Sequence, residues 1–108
     1  MQKKIEIKVR STLVVNPVKM LKGNLSVVAQ GISFERDFST DFLDIPFTSI
    51  KYISVQKVFG FYWRGIFVKT NDDKEIQLLT SNTKKLIQQL ATHLKPDQIR
   101  FRKSVLER

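Results

Sequence analysis

Residues 75–96 read Glu-Ile-Gln-Leu-Leu-Thr-Ser-Asn-Thr-Lys-Lys-Leu-Ile-Gln-Gln-Leu-Ala-Thr-His-Leu-Lys-Pro, and the apolar period changes inside that stretch. Ile76 and Leu78 alternate with Glu75 and Gln77, the two-residue repeat of a half-buried strand. From Thr83 onward Leu86, Ile87, Leu90, Ala91 and Leu94 fall on one stripe of a helix. Lys84, Lys85, Gln88, Gln89, Thr92 and His93 occupy its other side. Ser81 or Asn82 supplies a natural N-cap and Pro96 a stop, which predicts one helix over residues 82–95.

Upstream of that switch the two-residue period dominates. Ile5, Ile7 and Val9 alternate with Glu6, Lys8 and Arg10 until Asn16-Pro17 breaks the run. Asn24–Ala29 and Ile32–Arg36 flank a tight reversal at Gln30-Gly31, the pattern of a hairpin. Phe42–Pro46 reads as a short edge strand stopped by its proline. Ile50–Phe59, Arg64–Thr70 and Glu75–Leu79 follow, with Asn71–Lys74 as a turn. Strands without βαβ alternation, closed by one helix, predict a mainly β fold. The expected form is a bent antiparallel sheet, or partly open barrel, of about seven strands capped by the helix. Leu86, Leu90 and Leu94 should pack on that sheet near Val27, Phe34, Ile53 and Val68. A chain of 108 residues leaves room for one domain over 1–108, with residues 96–108 expected as a basic tail.

Composition removes much of the enzyme catalogue. Without cysteine there is no disulfide, no thiolate zinc site and no thiol nucleophile. The single histidine, His93, cannot form a His pair, and its place on the polar side of the last helical turn reads as structural. Glu35, Asp37, Asp41 and Asp44 form an acidic loop of solvated carboxylates rather than a Mg²⁺ site. No phosphate loop, nucleophile–base set or carboxylate pair is legible. The expectation is a protein that is not an enzyme and uses no metal or cofactor.

What remains is charge. Nineteen bases against ten acids leave +9, which points to a polyanionic or acidic partner. Residues 1–22 carry net +5, residues 51–69 net +4 and residues 95–108 net +3. The acidic stretches 23–50 and 70–80 separate them. The charge is therefore spread over several surfaces, not confined to one tail. No apolar run approaches the roughly 20 residues of a membrane span. The basic and acidic residues from Lys3 to Arg10 leave no apolar core for a signal peptide. A cytoplasmic protein, peripheral to the inner face of the cell membrane, is expected.

The segment Phe59-Gly60-Phe61-Tyr62-Trp63-Arg64-Gly65 places four aromatics in five positions, 59–63, with glycines at 60 and 65. They cannot all point inward from a strand with a two-residue period, so some must be exposed or lie in a bulge. Aromatics supply desolvation on binding, and neighbouring bases supply attraction. Lys57, Phe59, Phe61, Tyr62, Trp63, Arg64 and Lys69 are accordingly the predicted interaction surface, on a protruding hairpin tip. Serine at Phe61, Tyr62 and Trp63 is expected to abolish membrane association while leaving the fold intact. Nucleic acid is the least favoured partner: Arg64-Gly65-Ile66-Phe67-Val68 has the wrong aromatic and small positions for an RNA-recognition motif, and only one helix is present.

The order of elements resembles the pleckstrin-homology superfold, including its bacterial and GRAM-type relatives. The hairpin Gly23-Asn24-Leu25-Ser26-Val27 to Gly31-Ile32-Ser33-Phe34, followed by Ile45-Pro46-Phe47-Thr48-Ser49-Ile50, carries that likeness. Asp44-Ile45-Pro46-Phe47, Val58 to Arg64 and Ser81 to Leu86 look like the ManO-like family of small bacterial proteins. These are encoded with mannose-type phosphotransferase transporters. The resemblance spans roughly residues 22–95. It implies a non-enzymatic accessory or regulatory protein at the cytoplasmic face of a membrane sugar transporter, acting through protein–protein contacts. The alternative it offers is a module that binds anionic phospholipid. The loop Gln30-Gly31, read as the first hairpin turn, carries no base, which counts against specific phosphoinositide recognition.

Overall fold

The computed structural model describes residues 4–58 and 62–103. Its strands are β1 (Ile7–Asn16), β2 (Lys19–Val28), β3 (Gly31–Arg36), β4 (Phe42–Pro46), β5 (Ile50–Val58), β6 (Tyr62–Thr70), β7 (Glu75–Thr80) and β8 (Ile99–Lys103). One helix, α1 (Thr83–Leu90), lies between β7 and β8. The strands form a single sheet in the order β4-β3-β2-β1-β7-β6-β5-β8. This is the PH-like sheet capped by a helix, with one strand more than the pattern predicts.

Both halves of the sheet turn their apolar face toward the same interior. Val9, Leu25, Val27, Phe34 and Ile45 from β1–β4 join Ile53, Val55, Ile66, Val68 and Leu78 from β5–β7 in one buried cluster. Leu86, Ile87, Leu90 and Leu94 complete it. The expected helix anchors and their expected neighbours thus share one core. A sheet can enclose such a cluster only by bending, and the helix fills the open end.

Three boundaries differ from the sequence reading. The first hairpin is β1–β2, turning at Pro17-Val18, and β2 begins at Lys19 instead of Asn24. The turn at Ala29-Gln30 is the second reversal, so the base-free loop is not the first one; the true first turn is flanked by Lys19, with Lys22 beyond it. The helix is shorter than 82–95. Its last turn tightens after Leu90, where Thr92 and His93 donate to the carbonyls of Gln89 and Leu90. The Thr92 hydroxyl also donates to the Gln89 carbonyl (2.7 Å). At the other end Asn82 stands at the N-cap with φ 48°, and no side chain caps the turn. Thr83 instead donates its hydroxyl back to the Thr80 carbonyl (3.0 Å).

The third difference is β8. The expected tail turns once at Pro96–Gln98 and then runs parallel to β5, with Ile53 opposite Ile99 and Val55 opposite Phe101. A parallel pair needs a crossover, here built from β6, β7 and α1. Gln98 fixes the turn: its side-chain oxygen accepts from the Lys95 N–H (3.0 Å), and its amide donates to the Ile50 carbonyl (3.3 Å).

His93 ties the chain start to the region beyond the helix. Its ring stacks on Phe47 (centroids 4.6 Å apart), and Nε2 lies 2.7 Å from Glu6 Oε1. The Gln89 amide donates to the same oxygen (2.6 Å). The His93 and Gln89 hydrogen bonds, led by His93, hold the Glu6 carboxyl below its ordinary value of 4.5. A depressed carboxyl stabilises the fold above its unfolded pKa, and the contribution disappears as pH falls through the folded one. The melting-temperature advantage of wild type over Glu6→Gln should therefore be present above pH 4.5 and close as pH drops below it. A gap that ignores pH across that window would show that the carboxylate is not the stabilising species.

Candidate functional site

β6 begins at Tyr62 and not at Arg64, so Tyr62 and Trp63 belong to the strand itself, at one end of the sheet, and not to a tip between strands. Val58 faces Tyr62 and Lys57 faces Trp63, whereas one step earlier Gln56 faces Gly65. Two residues of β6 therefore span one step of β5, which makes Arg64 the extra residue of a β-bulge. A bulge re-aims the side chains beside it, here Arg64 itself. Tyr62 is more than half exposed. Trp63 turns back and is half-buried, its ring edge-on to Phe101 of β8 (5.2 Å between centroids).

Two ammonium groups close over these rings. Lys84 Nζ stands 5.5 Å from the Trp63 centroid, and Lys57 Nζ stands 5.5 Å from that of Phe101. Such contacts favour the cation by about 0.5–1 kcal/mol at exposed sites. They join β5, β6, β8 and the first turn of α1 in one cluster. Trp63 is thus partly a packing residue, so serine there removes a structural contact as well as an exposed ring. Phe59 and Phe61 lie outside the described residues.

Lys69 does not belong to this group. It sits seven residues along β6 from Tyr62, roughly 20 Å away at strand rise, opposite Tyr52 and Glu75. In its place the fold brings in bases from other elements. A shallow groove of about 450 Å³ is lined by Arg10, Lys22, Tyr62 and Arg64, with Thr12 and Leu79. A second groove of about 430 Å³ runs along Tyr62, Trp63, Asn82, Lys84 and Lys85. The two share Tyr62, Thr80 and Ser81, and neither is lined by an acidic side chain.

The charges of the grooves differ in availability. Arg10 is engaged: its guanidinium donates to both carboxylate oxygens of Asp37 (2.9 and 2.7 Å). That fork holds the Asp37 carboxyl below its usual range and raises Arg10 further. Lys22, Arg64, Lys84 and Lys85 form no ion pair among the described residues. Lys22, Arg64, Lys84 and Lys85 around an exposed phenol, with no carboxylate lining the two grooves, make a surface for anionic groups, with Asp37 acting on Lys22 from outside the grooves and Lys84 standing over Trp63. Of these, the sequence singled out only Tyr62 and Arg64. Lys84 and Lys85 were visible as the polar side of the helix, but their approach to Trp63 is a product of tertiary packing.

Asp37 pairs with Arg10, and Asp41 lies 3.8 Å from Arg36. Among the described residues no three metal-ligating side chains gather in one place. No helix among them is long and apolar enough to cross a membrane.

No protein-family model matches the chain, and no curated protein matches it by sequence. Its fold is similar to the crystal structure of the C-terminal domain of an unknown protein from Leishmania infantum. That likeness has a TM-score of 0.72 at 18% identity, over 83% of each chain, and it shows a shared fold.

Proposed function

We propose that the protein is a non-catalytic docking module. It binds an acidic surface of a membrane protein at the cytoplasmic face, with a sugar-transporter subunit as the class of partner. One observation carries this reading: Lys22, Arg64, Lys84 and Lys85 surround Tyr62 in two adjoining grooves that no acid lines. The aromatic ring supplies short-range desolvation, and the four bases supply attraction and orientation. Shallow grooves of this kind suit an extended acidic segment better than a small substrate.

The test uses detergent-solubilised membranes, where no bilayer surface remains to attract the bases. Wild type should retain a discrete membrane protein, and Arg64→Glu/Lys84→Glu/Lys85→Glu should bind it at least about tenfold more weakly. That loss should shrink as salt rises, because exposed charges are screened beyond about 10 Å at 0.1 M. Equal capture by both forms would remove this surface from the function. Retention of nucleic acid with a steep salt slope would replace the reading with a nucleic-acid one.

A further inference from the structure

The outer face of the sheet carries apolar side chains where it meets water. Two rows of cross-strand neighbours run over β2, β1, β7 and β6. Met20, Val14, Gln77 and Phe67 form one, and Lys22, Thr12, Leu79 and Gly65 the next. The alternate positions of these strands, among them Val9, Leu25, Leu78 and Val68, face the core. A sheet solvated on one face keeps that face polar, and Met20, Val14, Phe67 and Leu79 depart from this at neighbouring positions.

These four line a third groove, of about 490 Å³, which meets the first at Arg64 and Leu79. Bulges shape it on both sides. Val14 faces Met20 and Asn16 faces Lys19, so Val15 is the extra residue of β1, as Arg64 is of β6. Both extra residues line the groove, and Val15 and Met20 are each 50% exposed. Glu75 closes the far end opposite Lys69, four residues along β7 from Leu79 and roughly 13 Å away at strand rise. The groove is basic where it joins the first one, and its single acid stands at the other end.

We propose that the acidic segment of the partner is preceded by an amphipathic helix, whose apolar side rests in this third groove. The inference rests on the docking reading above and specifies the partner's chemistry. Apolar side chains on one helical face meet Met20, Val14, Phe67 and Leu79, and the acids that follow meet Arg64 and Lys22. An added strand is excluded by topology, because β1, β7 and β6 are each paired on both sides and offer no open edge. A segment lying on such a face satisfies its backbone within itself wherever the groove shields it from water. A helix does so while presenting one apolar stripe.

Charge sets the direction. Arg64 stands where the two grooves join, and a cation favours the C-terminal end of a helix. The helix therefore ends at Arg64 and starts toward Glu75, which places it before the acids in the partner's chain order. A second copy of this chain does not fit. Its one helix already spends Leu86, Ile87 and Leu90 on the core, and it carries Lys84 and Lys85 in the first turn.

The experiment again uses detergent-solubilised membranes. Val15→Ser/Met20→Ser, at two exposed positions, should keep the wild-type melting temperature and bind the retained membrane protein about tenfold more weakly. That loss should persist at high salt, where the loss from Arg64→Glu/Lys84→Glu/Lys85→Glu shrinks, because salt does not screen apolar burial. With p-benzoylphenylalanine in place of Met20, the same membrane protein should cross-link through a segment whose apolar residues recur at helical spacing and are followed by acids. A synthetic peptide of that segment should gain helical circular dichroism on binding. Full binding by Val15→Ser/Met20→Ser beside a failing base-reversal variant would overturn the inference and leave the docking reading standing. Full binding by the base-reversal variant, or no membrane protein retained by wild type, would overturn the docking reading and this inference with it. A cross-linked segment without that pattern would overturn the inference alone. So would dimers, or binding to protein-free phosphatidylglycerol vesicles, that the Val15→Ser/Met20→Ser variant loses.

Discussion

Leu90→Ala should destabilise the fold by about 2–5 kcal/mol, the range for removing a fully buried leucine without collapse of the site. Leu90 is 0% exposed and lies in the same cluster as the apolar side chains of both halves of the sheet. α1 has only eight residues and no side-chain cap, so it cannot persist by intrinsic propensity. It is held by Leu86, Ile87 and Leu90, with Leu94 just beyond, and the loss of one anchor falls on few others. Gln88→Ala, on the exposed side of the same turn, should stay within about 0.5 kcal/mol. Urea unfolding of the two variants decides the matter. If Leu90→Ala costs no more than Gln88→Ala, the helix is not packed as described. The same substitution should also weaken binding, because α1 presents Lys84 and Lys85 beside Trp63.

The parts of this fold that were legible in the sequence are those in which one short segment carries its own period. Glu75–Thr80 and Leu86–Leu94 each show a repeat that solvent and core impose locally, so the change from strand to helix could be read directly. The β8 strand shows why the rest was harder. Ile99-Arg100-Phe101 does alternate, but its partner Ile53-Ser54-Val55 lies more than forty positions away and runs parallel. Three alternating residues among five bases look like a charged tail until that partner is placed beside them. The start of β2 was hidden in a similar way. Lys19 to Lys22 carry no clear alternation, and only the pairing with β1 extends the hairpin to its turn at Pro17-Val18.

The candidate surface divides along the same line. The aromatic run announced itself as too dense for every ring to face inward, and of its described rings Tyr62 is exposed and Trp63 half-buried at adjacent positions of β6. Lys69 looked near because it is close in sequence, yet strand geometry carries it roughly 20 Å from Tyr62. Lys22 and Lys84 looked remote and are brought to the grooves by β2 and α1. The exposure of Phe38 and Phe42 is not legible in the sequence, because a phenylalanine looks like core until its burial is known.

Gly65→Ala should be among the most costly single-methyl additions this fold can receive, about 3 kcal/mol or more, at or beyond the usual ceiling for overpacking. A Cβ built at Gly65 would stand 2.3 Å from the Leu78 carbonyl oxygen and 2.8 Å from Leu79 Cα. Both are backbone atoms of β7, so no rotamer change relieves the contact. Conformational freedom is not the reason for glycine here, since Gly65 lies outside the left-handed region. Restricting the unfolded chain would, by itself, favour alanine by about 0.4–1 kcal/mol. The clash must exceed that gain, and β7 cannot retreat because β1 pairs with it on its other side. Gly31→Ala is the informative comparison. Its Cβ would meet the Ile45 carbonyl oxygen at 2.2 Å, an equally short approach, but Ile45 belongs to β4 at the sheet edge, which is free to move outward. Thermal unfolding should therefore rank Gly65→Ala well below Gly31→Ala. Gly65→Ala should also impair groove binding in the protein that remains folded, because Arg64 and Tyr62 lie directly beyond the displaced residue on β6. Equal melting temperatures for the two variants would mean that β6 and β7 separate as readily as an edge strand. The placement of the bulge, and of the surface built on it, would then need to be redrawn.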